Sequence, residues 1–275
     1  MPVLIGLVKT GLVEAKVRQF MKLGHQNVDI KPPISKLYFK GEYENSIFDN
    51  CVAIVGSRRM TSYGERVIEK IIPPLVDAGV TIVSGYMYGV DRKAHKVALE
   101  CGGKSIAVLG WGIDLEKPVE NLLFISEYPG EIKSQLWMFP RRNRIVAGIS
   151  RAVIIVEAAE KSGSLITADF AIKYHKQLFA VPGPITSLIS VGSNNLIKQG
   201  LAKMCTCAED ILGRPAGRQE GTNSKIVTLL QSETLTVDEL AIKMGKSAIE
   251  ISEELTILQL KGDIFEQNGK FYPKI

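Results

Sequence analysis

Between residues 46 and 213 the chain alternates short β-branched apolar runs with segments of helical spacing, and few folds accommodate that alternation. The runs are Cys51–Val55, Thr81–Ser84, Ser105–Leu109, Ala152–Val156 and Leu178–Val181. Helical patterns follow at Gly64–Ala78, Val90–Glu100, Arg141–Ile149, Leu165–His175 and Asn194–Lys203. Runs that are apolar at nearly every position read as strands buried on both faces, hence as a parallel sheet covered by helices on each side. Right-handed crossovers then give an α/β fold, a Rossmann-like, doubly wound and mainly parallel sheet. Pro73 and Pro74 inside the first helical pattern predict a kink or an early end there.

The flanks differ in character. Residues 1–45 read as a short N-terminal extension, with a helical pattern at Val13–Lys22 and an apolar–aromatic stretch at Leu37–Lys40. Residues 214–223 are rich in Gly and polar side chains, as a linker is. Residues 224–275 hold three helical patterns, Ser224–Ser232, Val237–Met244 and Ala248–Leu260. Two short runs then flank Asn268-Gly269, a strong hairpin signal. Three helices and a hairpin describe a winged-helix domain.

Composition narrows the function classes. With 45% hydrophobic and 23% charged residues, the 275-residue chain is not a disordered one. Its apolar runs are too short to span a bilayer, no secretory leader is visible, and no membrane partner is expected. Cys51, Cys101, Cys205 and Cys207 form neither a C-x-x-C pair nor a cluster with histidine, so no metal, no cofactor and a cytoplasmic location are expected. The net charge is +5, but it is unevenly placed: from Thr222 onward there are 6 basic and 8 acidic residues, leaving +7 on residues 1–221. An anionic partner therefore belongs with the sheet.

In such a fold ligands bind beyond the carboxyl ends of the strands. Those ends carry Gly56-Ser57-Arg58-Arg59, Ser84-Gly85, Gly110-Trp111-Gly112, Ser162-Gly163-Ser164 and Pro182-Gly183-Pro184. Small residues let a ligand approach the backbone, and amides at a helix N-terminus attract phosphate. A single such turn is ordinary turn chemistry; several on one rim point to an anion site. The first turn is neither G-x-G-x-x-G nor a P-loop, so dinucleotide and triphosphate signatures are missing. Arg58, Arg59 and the cluster Arg141-Arg142-Asn143-Arg144 suggest several phosphates; the competing role for one or two of them is to cap or pair with Asp and Glu. Tyr63, Tyr86, Tyr88, Trp111 and Phe139 lie in or beside the same turns, where aromatics either anchor packing or stack on unpaired bases. The pattern favours single-stranded nucleic acid over a small nucleotide.

No catalytic constellation emerges. His25, His95 and His175 are the only histidines, and Ser57, Ser84 and Ser164 have no evident His–Asp partners. Asp91 and Glu157 near strand ends are candidates for a metal or a ribose, but support of the packing is the plainer role. The rival reading is a nucleotide-binding or nucleotide-hydrolysing Rossmann-like enzyme. Phosphoribohydrolases of that kind carry a glutamate four residues after the turn glycine; counted from Gly163, that position is Thr167. In the C-terminal module Glu250, Glu253 and Glu254 stand early in the third helix, which disfavours reading of a duplex and favours a protein or dimer contact.

Several of these stretches together resemble the DNA-processing protein A family (DprA, also called Smf). They are Val52–Arg58, Ile82–Gly85 with Gly89-Val90-Asp91, Ala94-His95 and Ala98-Leu99. Phe139–Ser150, Val156-Glu157-Ala158, Ser162–Ala168 and Val181-Pro182-Gly183 complete the resemblance, which covers about residues 36–212. It implies a non-enzymatic protein that binds single-stranded DNA in natural transformation, protects incoming strands and helps load the RecA recombinase, usually as a homodimer. Carried over by motif, the DNA site is Gly56, Ser57, Arg58, Ser84, Gly85, Gly89, Arg141, Asn143, Arg144, Ser162, Gly163 and Ser164. Three departures from the family stand out: Ser84-Gly85-Tyr86-Met87 where Ser-Gly-Leu-Ala is usual, Lys117-Pro118 where Tyr-Pro is usual, and a stretch from Asn121 to Glu127 short enough to have lost a helix.

Overall fold

The computed structural model describes residues 30–213, 225–261, 263–267 and 269–273. The Val13–Lys22 pattern and the 214–223 linker lie outside the described residues. The chain divides into two compact units, Met1–Arg214 and Pro215–Ile275.

The first unit is built on an eight-stranded sheet. Its strands are β1 (Tyr38–Lys40), β2 (Cys51–Val55), β3 (Thr81–Ser84), β4 (Ser105–Leu109), β5 (Leu122–Ser126), β6 (Ala152–Ile155), β7 (Gln177–Ala180) and β8 (Lys203–Met204). They lie in the order β1-β5-β4-β3-β2-β6-β7-β8, and only the β1–β5 pair is antiparallel. The chain moves outward from β2 through β3, β4 and β5, then returns to β6 on the other side of β2 and moves outward again. The β2/β6 boundary is thus the switch point, where crossovers to opposite faces leave a crevice at the carboxyl ends.

The helices are α1 (Ser62–Asp77), α2 (Val90–Glu100), α3 (Met138–Ile149), α4 (Gly163–Lys173), α5 (Val191–Lys198) and α6 (Ala208–Leu212). Strand alternation sorts the core. Val52, Ile54, Ile82 and Ile154 point to one face, against Ile68, Ile72 and Leu75 of α1 and Ala94 and Ala98 of α2. Ala53, Val55, Val83 and Ile155 point to the other, against Ile145 and Val146 of α3 and Ala168 of α4. All five residues of β2 are buried, and each large aliphatic side chain so placed contributes about 1.5–3 kcal/mol.

Three expectations need correction. Of the two outcomes expected at Pro73 and Pro74, a kink or an early end, the early end does not occur: α1 runs through both to Asp77. The carbonyls those prolines leave without an amide partner belong to Glu69 and Lys70, both exposed residues, where solvent can take the amide's place. The stretch from Asn121 to Glu127 contains an unanticipated strand, β5, fully buried and paired along five residues of β4. Asn194–Lys203 is not one helix: α5 ends at Lys198, and Lys203 begins β8 after Gly200 at φ +67°.

The second unit contains α7 (Lys225–Ser232), α8 (Val237–Met244), α9 (Ala248–Lys261), β9 (Ile264–Gln267) and β10 (Lys270–Pro273), a winged helix. Its helix starts are written in the sequence. Thr236 and Glu239 form a capping box at α8, Ser247 and Glu250 exchange the same bonds before α9, and Gly245 closes α8 at φ +64°. A separate core of Ile226, Leu230, Leu240, Ile251, Leu255 and Phe271 holds it together. No described helix is long and apolar enough to cross a membrane.

Candidate functional site

At the β2/β6 switch point lies a cavity of about 530 Å³. Its lining combines the β2–α1 turn (Gly56 to Arg59), Gly85 and Met87 after β3, Phe139, Arg142 and Asn143 of α3, and Ser162 to Ser164 with Thr167 at α4. Eight of the twelve motif residues meet here: Gly56, Ser57, Arg58, Gly85, Asn143, Ser162, Gly163 and Ser164.

Local bonds shape each wall. Ser57 Oγ accepts from Arg59 N at 3.0 Å, curling the turn, while Val90 N donates to Ser57 O at 3.2 Å. Gly89 stands at φ +78°, and a Cβ there would collide with the Ser57 and Arg58 carbonyls, so only glycine lets α2 begin against this turn. Arg58 reaches over the Phe139 ring, 5.2 Å from its centroid. Asn143 Nδ2 donates to Gly163 O at 3.2 Å, tying α3 to the start of α4.

The three helices that start on this rim are not equivalent for an anion. At α1 the protein supplies its own: Glu157 accepts from Thr61 N at 2.9 Å and from Thr61 Oγ1 at 2.5 Å, and a Cβ on Gly64 would stand 2.6 Å from its Oε2. At α2 Asp91 sits in the first turn and accepts from Met87 N at 3.4 Å. At α4 the first turn has no acidic residue, Ser162 is the N-cap, and Gly163 borders open cavity. Of these three starts, α4 is thus the one whose positive end no first-turn carboxylate offsets, its Ser164 N being capped by the neutral Ser162 hydroxyl.

Arg142 is the residue that motif reasoning passed over. Its guanidinium is buried, donates to the Gly85 and Val108 carbonyls and lies where a Gly85 side chain would be. Burial pushes its pKa down to about 10, against the pull of the Asp91 carboxylate. Burial in turn raises Asp91, with Arg142 opposing. The two charges largely offset each other, so the free positive charge at the cavity comes from Arg58 and Arg59, both exposed. The signal was helical phase: Phe139, Arg142, Asn143 and Val146 fall on one side of α3.

The remaining motif residues stand elsewhere. Arg141 and Arg144, three apart on another side of α3, turn to Glu127: Arg144 is fully buried in an ion pair with it, and Arg141 Nε lies 3.6 Å from it. Ser84 is buried, its hydroxyl donating to Ile54 O at 2.6 Å. Gly89 lies behind the turn. Among the five rim aromatics only Phe139 lines the cavity. Tyr86 packs on Phe124 and His95, Trp111 lies behind Phe139, and Tyr63 borders a separate groove. Tyr88 is exposed beneath the Arg92 guanidinium.

His95 is buried, with Nδ1 2.7 Å from Ser105 Oγ, and burial pushes its pKa down to about 3. It is a packed neutral ring rather than a base facing the cavity. Both Glu157 oxygens are committed to Thr61, which leaves it a structural anchor. No group of three or more potential metal-ligating side chains occurs among the described residues.

Comparison with known proteins agrees with this architecture. Residues 22–215 match the family model "DNA recombination-mediator protein A", and residues 213–270 match "DprA winged helix domain". Protein Smf of Escherichia coli is 36% identical over 265 residues, covering 86% of this chain and 70% of that protein. DNA processing protein DprA of Streptococcus pneumoniae is 42% identical over 187 residues, 64% of this chain and 65% of that protein. Its crystal structure superimposes with a TM-score of 0.66 at 33% identity, covering 75% of each chain. DNA processing protein A from Helicobacter pylori, described for its single-stranded DNA binding mode, gives a TM-score of 0.61 at 33% identity over 68% of this chain and 89% of that one. On the strength of the sheet unit, its rim motifs and the winged helix together, the chain belongs to the DNA recombination-mediator protein A family.

Proposed function

We propose that this protein binds single-stranded DNA in the switch-point cavity and acts as a recombination mediator. In this reading it protects incoming strands in natural transformation and helps load the RecA recombinase onto them, as a homodimer and without transforming the DNA chemically. The observation that carries the binding site is the uncompensated α4 N-terminus opposite Arg58 and Arg59 in one cavity. Phosphates of the strand rest on the α4 amides and the two guanidiniums, and small residues at Gly56, Gly85 and Gly163 let the backbone come close. A cavity of about 530 Å³ accepts an unstacked nucleotide beside Phe139, whereas bases inside a duplex stack cannot enter it. The Helicobacter pylori relative, described as binding single-stranded DNA, supports the choice of ligand.

A gel-shift competition tests this. Oligothymidine should displace itself far better than a duplex of equal length does, with affinity falling steeply as salt rises. Equal competition by duplex, or affinity indifferent to salt, contradicts the reading.

A further inference from the structure

The helix α1 separates its charges onto two sides. Glu65 and Glu69 turn toward α2, where Lys93 Nζ lies 2.6 Å and 2.5 Å from their carboxylates. Arg66 and Lys70, also four apart, occupy a different side; both are exposed, and among the described residues neither has a carboxylate within ion-pair distance. They border a groove of about 240 Å³ whose other walls are Tyr63, Val67, the loop at Val181-Pro182 and Cys205-Thr206. Tyr63 OH donates to Pro182 O at 2.6 Å, which pins the ring upright as a wall. No acidic side chain lines the groove itself; behind the Cys205-Thr206 wall the Asp210 carboxylate is held by Thr206 N at 2.8 Å and Thr206 Oγ1 at 3.1 Å, and burial keeps the Cys205 thiol protonated, its pKa pushed up to about 12.

Two segments of the chain border both the groove and the cavity. The β2–α1 segment gives Arg59 to the cavity and Tyr63 to the groove, and the loop after β7 gives Pro182 to the groove and Ile189 to the cavity. A strand leaving the cavity over the start of α1 meets the groove next. Arg66 and Lys70 are one helical turn apart, about 6 Å along the axis, a spacing that suits successive phosphates of an extended strand.

We propose that the Tyr63–Arg66–Lys70 groove is a second backbone subsite, which takes the phosphates of a single strand after they leave the switch-point cavity. The proposal rests on the reading of that cavity as the primary DNA site. The groove holds phosphates through two exposed cations and carries no base-reading group, so it acts on any sequence once the strand is long enough to reach it.

Fluorescence anisotropy with two oligothymidines, of about five and about fifteen nucleotides, reads this directly. The double variant Arg66→Ala/Lys70→Ala should lose about tenfold in affinity for the longer oligonucleotide and flatten its log–log salt slope by about 1.4, while binding the shorter one as the wild type does. A control that removes two charges elsewhere, Lys96→Ala/Lys104→Ala, should bind both lengths normally. Equal loss on both lengths, no loss on either, or the same loss in the control overturns the subsite. Arg58→Ala separates the two readings: it should weaken both lengths, and if it weakens neither, the primary cavity itself is misassigned.

Discussion

The sheet unit and the winged helix handle their charged side chains in opposite ways. In the winged helix, acidic groups are spent locally: Glu239 and Glu250 cap helices, while Glu233 and Glu254 pair with Lys243 and Lys246. Charge there finishes the fold of a small domain. In the sheet unit, Glu157, Asp91 and Glu127 also neutralise internal positive ends and arginines, but they leave Arg58, Arg59 and the α4 N-terminus uncompensated at one cavity. A DNA-binding shape thus differs from a DNA-binding surface. The module shaped like a duplex reader has its early recognition-helix positions occupied by carboxylates, whereas the sheet rim presents free cations.

The sharpest way to break this contrast is through the buried charges. Arg142→Leu should destabilise the sheet unit by about 3 kcal/mol, since it strands the Gly85 and Val108 carbonyls and the Asp91 carboxylate, and chemical denaturation would measure it. Lys246→Ala, which breaks an exposed pair in the winged helix, should cost under about 1 kcal/mol in the same assay. Equal effects would erase the distinction.

Acid should act on the sheet unit through His95. Its folded pKa of about 3 lies below the unfolded value of 6.5, so between those limits the unfolded chain binds the extra proton. The stabilisation is complete above pH 6.5 and is lost as pH falls toward 3. Two pH units below 6.5 it should amount to a loss on the order of 2 kcal/mol, and His95→Asn should flatten that dependence. An unchanged slope in the variant would show that other groups control acid stability.

Binding should divide the units more finely. Arg58→Ala should lower single-strand affinity by about tenfold across sequences, because a phosphate contact carries no base information. Gly163→Val tests the wall beside it: the added side chain enters open cavity, so affinity should drop several-fold while the melting temperature stays close to wild type. Deletion of residues 215–275 should have the smallest effect, less than about twofold on single-strand affinity. A large loss there would move the DNA site to the winged helix.

Much of the sheet is legible in the sequence because β2, β3, β4, β6 and β7 are buried on both faces and read as unbroken apolar runs. The strand β5 is equally buried, yet the one helical element between β4 and it is a three-residue 3-10 turn, Ile113–Leu115, too short to show a helical period, so alternation does not announce it. The edges β1 and β8 are three and two residues long, too short for any period to register. At the site, glycine and serine turns are legible because the backbone itself forms the wall. Arg58 in the first turn is legible too, but the arginines of α3 are not. Their motif runs Arg141-Arg142-Asn143-Arg144, and only the rotation of α3 decides that Arg142 faces the cavity while Arg144 pairs with Glu127. The aromatics fail for a related reason, since a loop position does not say whether a ring turns out toward ligand or in toward Phe124, as Tyr86 does.

The most direct measurement is a crystal structure with a short oligothymidine. Phosphates should lie at the start of α4, against the Gly163 amide and the Ser162 and Ser164 hydroxyls, and on the guanidinium of Arg58, with a base beside Phe139. Density for the strand on α9 or the β9–β10 wing, with the switch-point cavity free of phosphate, would contradict the assignment.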